Sequence, residues 1–253
     1  MEVHDARAPD DLQLLQIEMD LLWGTEAGPD LVVACARDGT RVRLGNRVPP
    51  YAARVMAAEV DALPTSLNLE PPPQIERWRV LLADALGASV RLAPNSGPSY
   101  LIGPDVAFRA TAELVRSDTA DLAPLRTANP GNWGDDEWQA LLHGHLGPWV
   151  MARQGERVIS ICHTPVSTSN AAEAGVWTHP DFRGRGHAAA TTAEWATLMR
   201  PTDRWLFYST SRTNRASQRV AAHLGLRRIG SLWQLQSARA GTAWTLPPNL
   251  ADQ

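Results

Sequence analysis

The positions of apolar and polar residues between 172 and 199 predict a strand, a turn and a helix in succession. Val176 and Trp177 favour the strand, and Pro180 ends it because proline cannot continue a central strand. After a short loop, apolar or small residues recur at helical spacing, at Ala188, Thr192, Trp195 and Met199. This spacing predicts a helix that buries one face.

The same patterns predict helices and strands in the rest of the chain. Helices are expected over residues 10–22, 49–63, 74–86, 118–127, 135–143 and 214–224. Strands are expected over residues 31–36, 41–44, 89–92, 99–102, 112–115, 149–152, 158–163 and 205–210. Asp38-Gly39 and Gly155 are the turn signals of two hairpins.

The loop between the first strand and helix has the features of an anion site. Gly184 and Gly186 permit backbone angles that other residues avoid, and they let a ligand approach the main chain. The helix that follows presents unpaired N–H groups and the positive end of its dipole. Arg183 and Arg185 add two permanent positive charges. The loop therefore predicts a site for a pyrophosphate.

A dinucleotide site of the Rossmann type is one alternative for this loop. Residues 184–189 fit the loose pattern G-x-G-x-x-A, which alone is weak evidence. A Rossmann unit also needs an acidic residue at the end of the next strand, where it binds a ribose. The strand over residues 205–210 ends in Ser and Thr, and Asp203 lies before it, at the wrong end. This context disfavours a Rossmann site.

Two motifs, in the right order, resemble those of the GCN5-related N-acetyltransferase (GNAT) family. Residues 183–188, RGRGHA, fit the family's acetyl-CoA loop, Q/R-x-x-G-x-G/A. Residues 214–226, NRASQRVAAHLGL, resemble its N-x-x-S/A helix that closes in L-G-F/L, with Gly225 as the helix stop. The resemblance covers about residues 108–240, and the predicted order of elements there is the family's order.

The resemblance implies an α/β fold with a mixed, mostly antiparallel GNAT-type sheet flanked by helices, preceded by a smaller α/β N-terminal lobe. We expect residues 1–107 to form this accessory lobe and residues 108–253 to form the acetyltransferase domain. Gly97-Pro98 faintly echoes Gly147-Pro148, so a degenerate GNAT-like duplication in the lobe stays open. The lobe carries no motif with a chemical function.

The resemblance also implies transfer of an acetyl group from acetyl-CoA to a primary amine, by direct attack in a ternary complex. Main-chain groups of the strand would receive the pantetheine arm, at Val176, Trp177 and Thr178. The loop would bind the diphosphate, through Arg183, Gly184, Arg185, Gly186, His187, Ala188 and Ala189. Two positions of the second motif match cofactor contacts, Asn214 and Ser217. No metal is expected.

The catalytic acid and base are where this sequence departs from the family. Many relatives carry a general-acid Tyr at the position of Ala221, so Tyr208 is the substitute candidate, although a structural Tyr bonded to the backbone stays open. Some relatives place a carboxylate at the position of Ser209, which cannot titrate near neutrality. Others use a Glu on the strand before the loop, where Glu173 lies, and strand alternation predicts that it shares a face with Trp177.

Burial of Glu173 within an apolar strand would raise its pKa toward useful values. A strand-end Glu in water is the alternative, and a chain of water molecules could replace a single base. The sequence leaves these readings open.

Composition and charge favour a polyanionic ligand. All 24 basic residues are Arg, which binds phosphate bidentately, and residues 183–228 hold nine of them against two acids. CoA, with its diphosphate and 3′-phosphate, suits such a patch. Nucleic acid suits it less, because there is no long basic run and the chain carries a net charge of −3.

The remaining features favour a protein of the reducing cytoplasm. The chain is 44% apolar, but no long apolar run predicts a membrane span or a secretion signal. Cys35 and Cys162 match no metal spacing, and His143 and His145 lack a further ligand at a telling distance in sequence. These features predict reduced thiols and no metal centre.

We therefore expect a cytoplasmic acetyl-CoA-dependent N-acetyltransferase that acts on a small-molecule amine. No nucleic-acid or membrane partner is expected, and a homodimer stays open. Trp133, Trp138 and Trp149 lie where the family builds its acceptor wall, although core packing explains them equally well. The alternative is a CoA-binding regulatory or interaction module without catalysis, because Ala221 and Ser209 replace titratable residues.

Overall fold

The computed structural model describes residues 8–24, 28–63, 65 and 67–237, and the chain divides into two compact units. The first holds the described residues up to Ser99 and those from Ile229 onward, and the second holds Tyr100–Arg228. Among the described residues, the first unit is therefore discontinuous in sequence, whereas the second is one continuous segment.

The described chain contains six α-helices and eleven β-strands. The α-helices are α1 (Asp11–Trp23), α2 (Pro50–Ala57), α3 (Gln74–Leu86), α4 (Asp135–Leu142), α5 (His187–Met199) and α6 (Arg215–His223). The strands are β1 (Leu31–Cys35), β2 (Thr40–Leu44), β3 (Val90–Leu92), β4 (Gly97–Leu101), β5 (Glu113–Arg116), β6 (Trp149–Gln154), β7 (Arg157–His163), β8 (Ala171–Glu173), β9 (Gly175–Thr178), β10 (Trp205–Ser209) and β11 (Arg227–Ser237). None of the helices that the structure describes is both long and apolar enough to span a membrane.

In the first unit, β1 lies between β2 and β11 and pairs antiparallel with both, and β3 pairs with the end of β11. Every residue of β1 is buried, which accounts for its unbroken apolar sequence. α2 and α3 contribute Met56, Trp78 and Leu82 to the core around β1. The carboxylate of Asp30 accepts the N–H of Ser237 at 2.6 Å and so fixes the end of β11 beside the start of β1.

In the second unit, β5, β6, β7 and β9 form an antiparallel sheet in that order, and β8 pairs in parallel with β10. α5 packs through a face of small residues, in which Ala189, Ala193 and Ala196 are buried. Small residues let a helix lie close to its strands. Together with the α/β first unit, these mixed and mostly antiparallel strands with their helices confirm the predicted fold class.

The helix predicted over residues 118–127 is wrong. A 3₁₀ turn at Ala123–Leu125 forms there instead. Asp121 Oδ1 accepts the N–H of Ala123 at 3.0 Å, and Pro124 has no N–H to give to a helix. The helix predicted over residues 49–63 is also shorter, because α2 ends at Ala57. In the first of these segments, local turn chemistry overrides the apolar spacing.

Candidate active site

One stretch of chain changes its pairing partner at Ala174. β8 pairs in parallel with β10, and the N–H of Ala174 continues this ladder to the carbonyl oxygen of Phe207 at 2.9 Å. From Gly175 onward, β9 pairs with β7 instead. β9 and β10 therefore part immediately after Ala174.

The carboxylate of Glu173 lies at the point where the strands part. In a regular parallel ladder the N–H of Ser209 would donate to the carbonyl oxygen of Ala174. Here it donates to Glu173 Oε1 at 2.7 Å, and Ser209 Oγ donates to the same oxygen at 2.8 Å. A side-chain oxygen has therefore replaced a backbone oxygen, and the ladder ends.

This replacement leaves backbone groups of β9 facing away from β7. His179 N–H donates to the carbonyl oxygen of Ile159, and Trp177 is in register with Ile161. Because antiparallel strands alternate in the direction of their backbone groups, Val176 directs its N–H and C=O to the side that β10 has left. The N–H of Thr178 points the same way, and its carbonyl oxygen accepts from Arg183 Nε at 3.2 Å.

His163 fixes the start of β9 against β7. Its Nδ1 donates to the carbonyl oxygen of Gly175 at 3.0 Å. Burial lowers the pKa of His163 to about 4, so the ring is neutral at physiological pH. A Cβ on Gly175 would lie 2.6 Å from His163 Cε1, which is why a glycine stands there.

The environment of Glu173 alters its titration. Its side chain is fully buried, and Oε2 has no hydrogen-bond partner among the described residues. Burial raises the pKa of Glu173 to about 7, although the two hydrogen bonds from Ser209 act in the opposite direction. A carboxyl group with this pKa exchanges a proton near neutral pH.

The predicted position of Glu173 on the same face as Trp177 is wrong. The alternation breaks at Ala174, which belongs to neither strand. The charge of Glu173 contributes to raising the pKa of Cys162 and of Tyr208, and both residues belong to the cluster that α5 covers. Trp177 packs instead against the cluster that contains Trp138.

Tyr208 is held by α6. Its side chain is buried, and its hydroxyl lies 2.7 Å from Ser217 Oγ and 3.4 Å from the Ser217 carbonyl oxygen. Burial raises the pKa of Tyr208, so the phenol keeps its proton throughout the physiological range. Asn214 caps α6 by accepting the N–H of Ser217 at 3.0 Å. Both predicted residues of the second motif thus position the start of α6 beside Tyr208.

The glycine loop has the backbone conformation that its sequence predicts. Gly184 and Gly186 have φ angles of +75° and +82°, and Gly186 is the N-cap of α5. The first bond within the helix runs from Ala190 N–H to Gly186 C=O. The N–H groups of His187, Ala188 and Ala189 precede it and have no acceptor within the helix, so they are available to an anion.

The charged and aromatic side chains of the loop lie around Phe182. Arg185 Cζ lies 5.3 Å from the centre of the Phe182 ring, and the ring of His187 lies 6.4 Å from it. Arg183 turns back to the Thr178 carbonyl oxygen. His187 is buried, its Nδ1 has no partner among the described residues, and burial together with Arg185 lowers its pKa.

Sequence reasoning missed the part that Ser209 plays. The sequence indicates only that Ser209 cannot act as a base, whereas in the structure it holds the carboxylate of Glu173. The available signal was the isolated Glu173, because a buried carboxylate needs donors and the parallel neighbour strand is the nearest source. Among the described residues, no group of three or more His, Cys, Asp or Glu side chains could hold a metal ion.

Comparison with known proteins places this geometry in a family context. Residues 104–227 match the acetyltransferase (GNAT) domain family. The fold is similar to an acetyltransferase from the GNAT family of Colwellia psychrerythraea, with 14% identity, a TM-score of 0.50, and coverage of 90% of this chain and 96% of that one. A GCN5-related N-acetyltransferase from Sphaerobacter thermophilus has 12% identity, a TM-score of 0.47, and coverage of 91% and 86%. No curated protein matches this chain.

The two loop glycines allow a test of the loop geometry. A Cβ at Gly184 would meet no atom within 4 Å, whereas one at Gly186 would lie 3.0 Å from Phe108 Cε1. Left-handed backbone costs a non-glycine residue about 1–2 kcal/mol. We expect Gly184→Ala to lower the free energy of unfolding in urea by about 1 kcal/mol and Gly186→Ala by about 2 kcal/mol. Equal losses would contradict the close approach of Phe108.

The buried carboxyl of Glu173 predicts how stability depends on pH. Its pKa is raised from 4.5 to about 7 on folding, so between these values the folded chain holds a proton that the unfolded chain releases. The contribution of this group to stability therefore falls as pH rises through that window. Between pH 5 and 8, we expect the wild type to lose about 2.5 kcal/mol relative to Glu173→Gln in urea unfolding. Parallel profiles would show that the carboxyl is not protonated in this range.

Proposed function

Residues 104–227 place this chain in the GNAT acetyltransferase family, and from this premise we propose that it transfers the acetyl group of acetyl-CoA to a primary amine of a small molecule. Acetyl transfer in general follows from the family. The donor, the acceptor and direct attack of the amine in a ternary complex are our proposal.

One observation carries the proposal: the parallel ladder ends at Glu173, and this leaves free backbone groups beside a buried carboxylate. Val176 offers an N–H and a C=O on the side that β10 leaves. Glu173 Oε2 and Thr210 Oγ1 are buried without partners among the described residues. Unsatisfied buried polar atoms are costly, and a polar ligand would satisfy them.

The residues present fit acetyl-CoA in its two chemically distinct parts. The amide-bearing arm of the donor suits the free backbone edge of β9, over Val176–Thr178, because amides pair with backbone N–H and C=O groups. The diphosphate suits the N–H groups over Gly184–Ala189 at the start of α5. When bound, the donor would supply an activated thioester, and the residues of this chain would position it and transfer the protons.

Glu173 would act as the general base. An amine is protonated at neutral pH and must lose a proton before it can attack, and a base with a pKa of about 7 suits this step. Ser209 occupies Oε1 with two hydrogen bonds, so the proton would be taken at Oε2.

Tyr208 is our proposed proton donor to the departing thiolate. Ala221 stands where many relatives carry this acid, so the role needs another residue. Tyr208 retains its proton near neutrality and lies in hydrogen-bond contact with Ser217 Oγ, which would pass the proton on.

The acceptor would lie against the aromatic residues beside β9. Asn132, with its amide oxygen turned to the indoles, accepts from Trp133 Nε1 at 3.2 Å and from Trp177 Nε1 at 3.3 Å. These bonds fix the loop before α4 to the strand that borders the open edge. An aromatic wall of this kind suits the carbon skeleton of a small amine. Cytoplasmic location and a homodimer remain predictions.

A catalytically inactive CoA-binding module is the second candidate. Ala221 favours it, because the usual acid is absent from that position. The two candidates share the donor site and differ in turnover, so release of free thiol with a panel of primary amines separates them.

A matched pair of glycine variants tests binding of the donor to the loop. Gly184 and Gly87 both have positive φ angles, of +75° and +59°, and no atom lies within 4 Å of a Cβ at either. Acetyl-CoA should bind the wild type and Gly87→Trp in calorimetry. Gly184→Trp should weaken binding by at least about tenfold, because the indole would cover the helix amides. Absence of binding to the folded wild type would overturn the proposed function.

Glu173 and Ser209 should control the pH profile of the reaction. The wild-type kcat/KM should rise with pH through about 7, because only ionised Glu173 can accept a proton. Glu173→Gln should lower kcat by about 10²–10⁴-fold. Ser209→Ala should move the acid limb to higher pH by removing one donor to the carboxylate, and Ser209→Thr should restore it. An acid limb that is the same in all variants would show that Glu173 is not the base.

A further inference from the structure

Phe108 is exposed where a purely structural phenylalanine would be buried. Four large hydrophobic side chains among the described residues are well exposed, and three of them, Tyr51, Val55 and Val80, lie in the first unit. Phe108 is the one in the second unit, with 36% of its surface exposed. Exposure of an aromatic ring to water costs free energy, so an exposed ring held in place suggests a binding partner.

The chain brings Phe108 to the start of α5. Arg200, which follows the helix, donates to the carbonyl oxygen of Pro104. Val106 is buried in the same cluster as Ala189 and Ala193 of α5. Residues 104–108 therefore run beside the helix from its end towards its beginning, and they deliver Phe108 to the glycine loop.

The contact between Phe108 and the loop is made by the edge of the ring. Cε1 and Cζ lie 3.0 and 3.2 Å from the place where a Cβ on Gly186 would be. Gly186 is thus needed both for its φ of +82° and for the space that the ring uses. Because the ring contacts the loop through its edge, a face of the ring is available for stacking with a flat ligand.

Two arginines are sequence neighbours of the two residues that form this contact. Arg109 is the next residue in the chain, and Arg185 precedes Gly186. In the part of the chain that the structure describes, neither forms an ion pair with an acid. An exposed ring against the glycine loop, with helix N–H groups and two arginines without acidic partners nearby in the chain, is suited to a ligand that carries both a flat base and phosphates.

We propose that Phe108 is the platform on which the adenine base of the acyl donor stacks, with Arg109 and Arg185 beside the phosphates of the same nucleotide. The inference rests on the proposed function, since it concerns the donor of that reaction. It adds a specificity determinant that lies outside both sequence motifs. Stacking on an aromatic side chain tolerates variation in the base, so the platform recognises the base by its shape.

Calorimetry with two donors tests the platform separately from the proposed function. Acetyl-CoA carries the adenine nucleotide, and S-acetyl-4′-phosphopantetheine lacks it. We expect Phe108→Leu to weaken binding of acetyl-CoA by about tenfold and to leave binding of S-acetyl-4′-phosphopantetheine unchanged. Phe108→Tyr, which keeps the aromatic face, should bind both donors like the wild type. Tyr51→Ala removes an exposed aromatic residue of the first unit and should change neither affinity.

Each other outcome has a defined meaning. If Phe108→Leu weakens binding of both donors equally, the ring only maintains the shape of the loop, and the platform is overturned. Unchanged or tighter binding of acetyl-CoA by this variant would overturn it as well. Binding of neither donor to the wild type would overturn the proposed function itself. If Phe108→Leu fails to fold, the wild type with an etheno-adenine analogue of acetyl-CoA decides: stacking should protect its emission from iodide, and full quenching would overturn the platform.

Discussion

The candidate site depends on one exchange of hydrogen-bond acceptors. The carboxylate of Glu173 accepts the N–H of Ser209 in place of the carbonyl oxygen of Ala174. When two paired strands separate, each leaves backbone groups that need partners. Glu173 satisfies the N–H of Ser209 on one strand, while Val176 on the other keeps its groups free. Two donors from one residue offset part of the cost of burying the carboxylate. These bonds cap the strands where they separate, and the free groups stay on one side.

Other contacts in the second unit preserve this geometry. His163 fixes Gly175 to β7, so β9 cannot swing back towards β10. Thr191 of α5 donates to the carbonyl oxygen of His187 at 3.1 Å and lies 3.5 Å from Ser160 Oγ, which joins the first turn of the helix to β7. The helix amides and the free edge of β9 are therefore positioned by the same strand. For the proposed donor both parts would already be in place, which would reduce the entropy lost on binding.

The sequence predicts the elements well and their junctions poorly. α3 lies where its apolar spacing places it, and Gly184, Gly186 and Asn214 have the loop and cap roles that their residue types favour. The face of Glu173 could not be predicted, because a single interrupting alanine leaves no trace in the alternation of polar and apolar residues. The bond between Glu173 and Ser209 joins residues 36 positions apart, and only the pairing of β8 with β10 brings them together. Phe108 was missed because its partner is a glycine, which has no side-chain chemistry to suggest a contact.

The discontinuity of the first unit has a consequence for synthesis on the ribosome. β1 cannot pair with β11 until Ser231–Leu235 of β11 have been translated. Those residues follow every strand of the second unit in the sequence. The described residues of the second unit, by contrast, have all been translated once Arg228 has emerged. Although domains of most chains fold in order from the N-terminus, here the later segment can finish first. The chain that is translated first is therefore the last to close its sheet, and until then one edge of β1 remains unpaired and open to chaperones or to a neighbouring nascent chain.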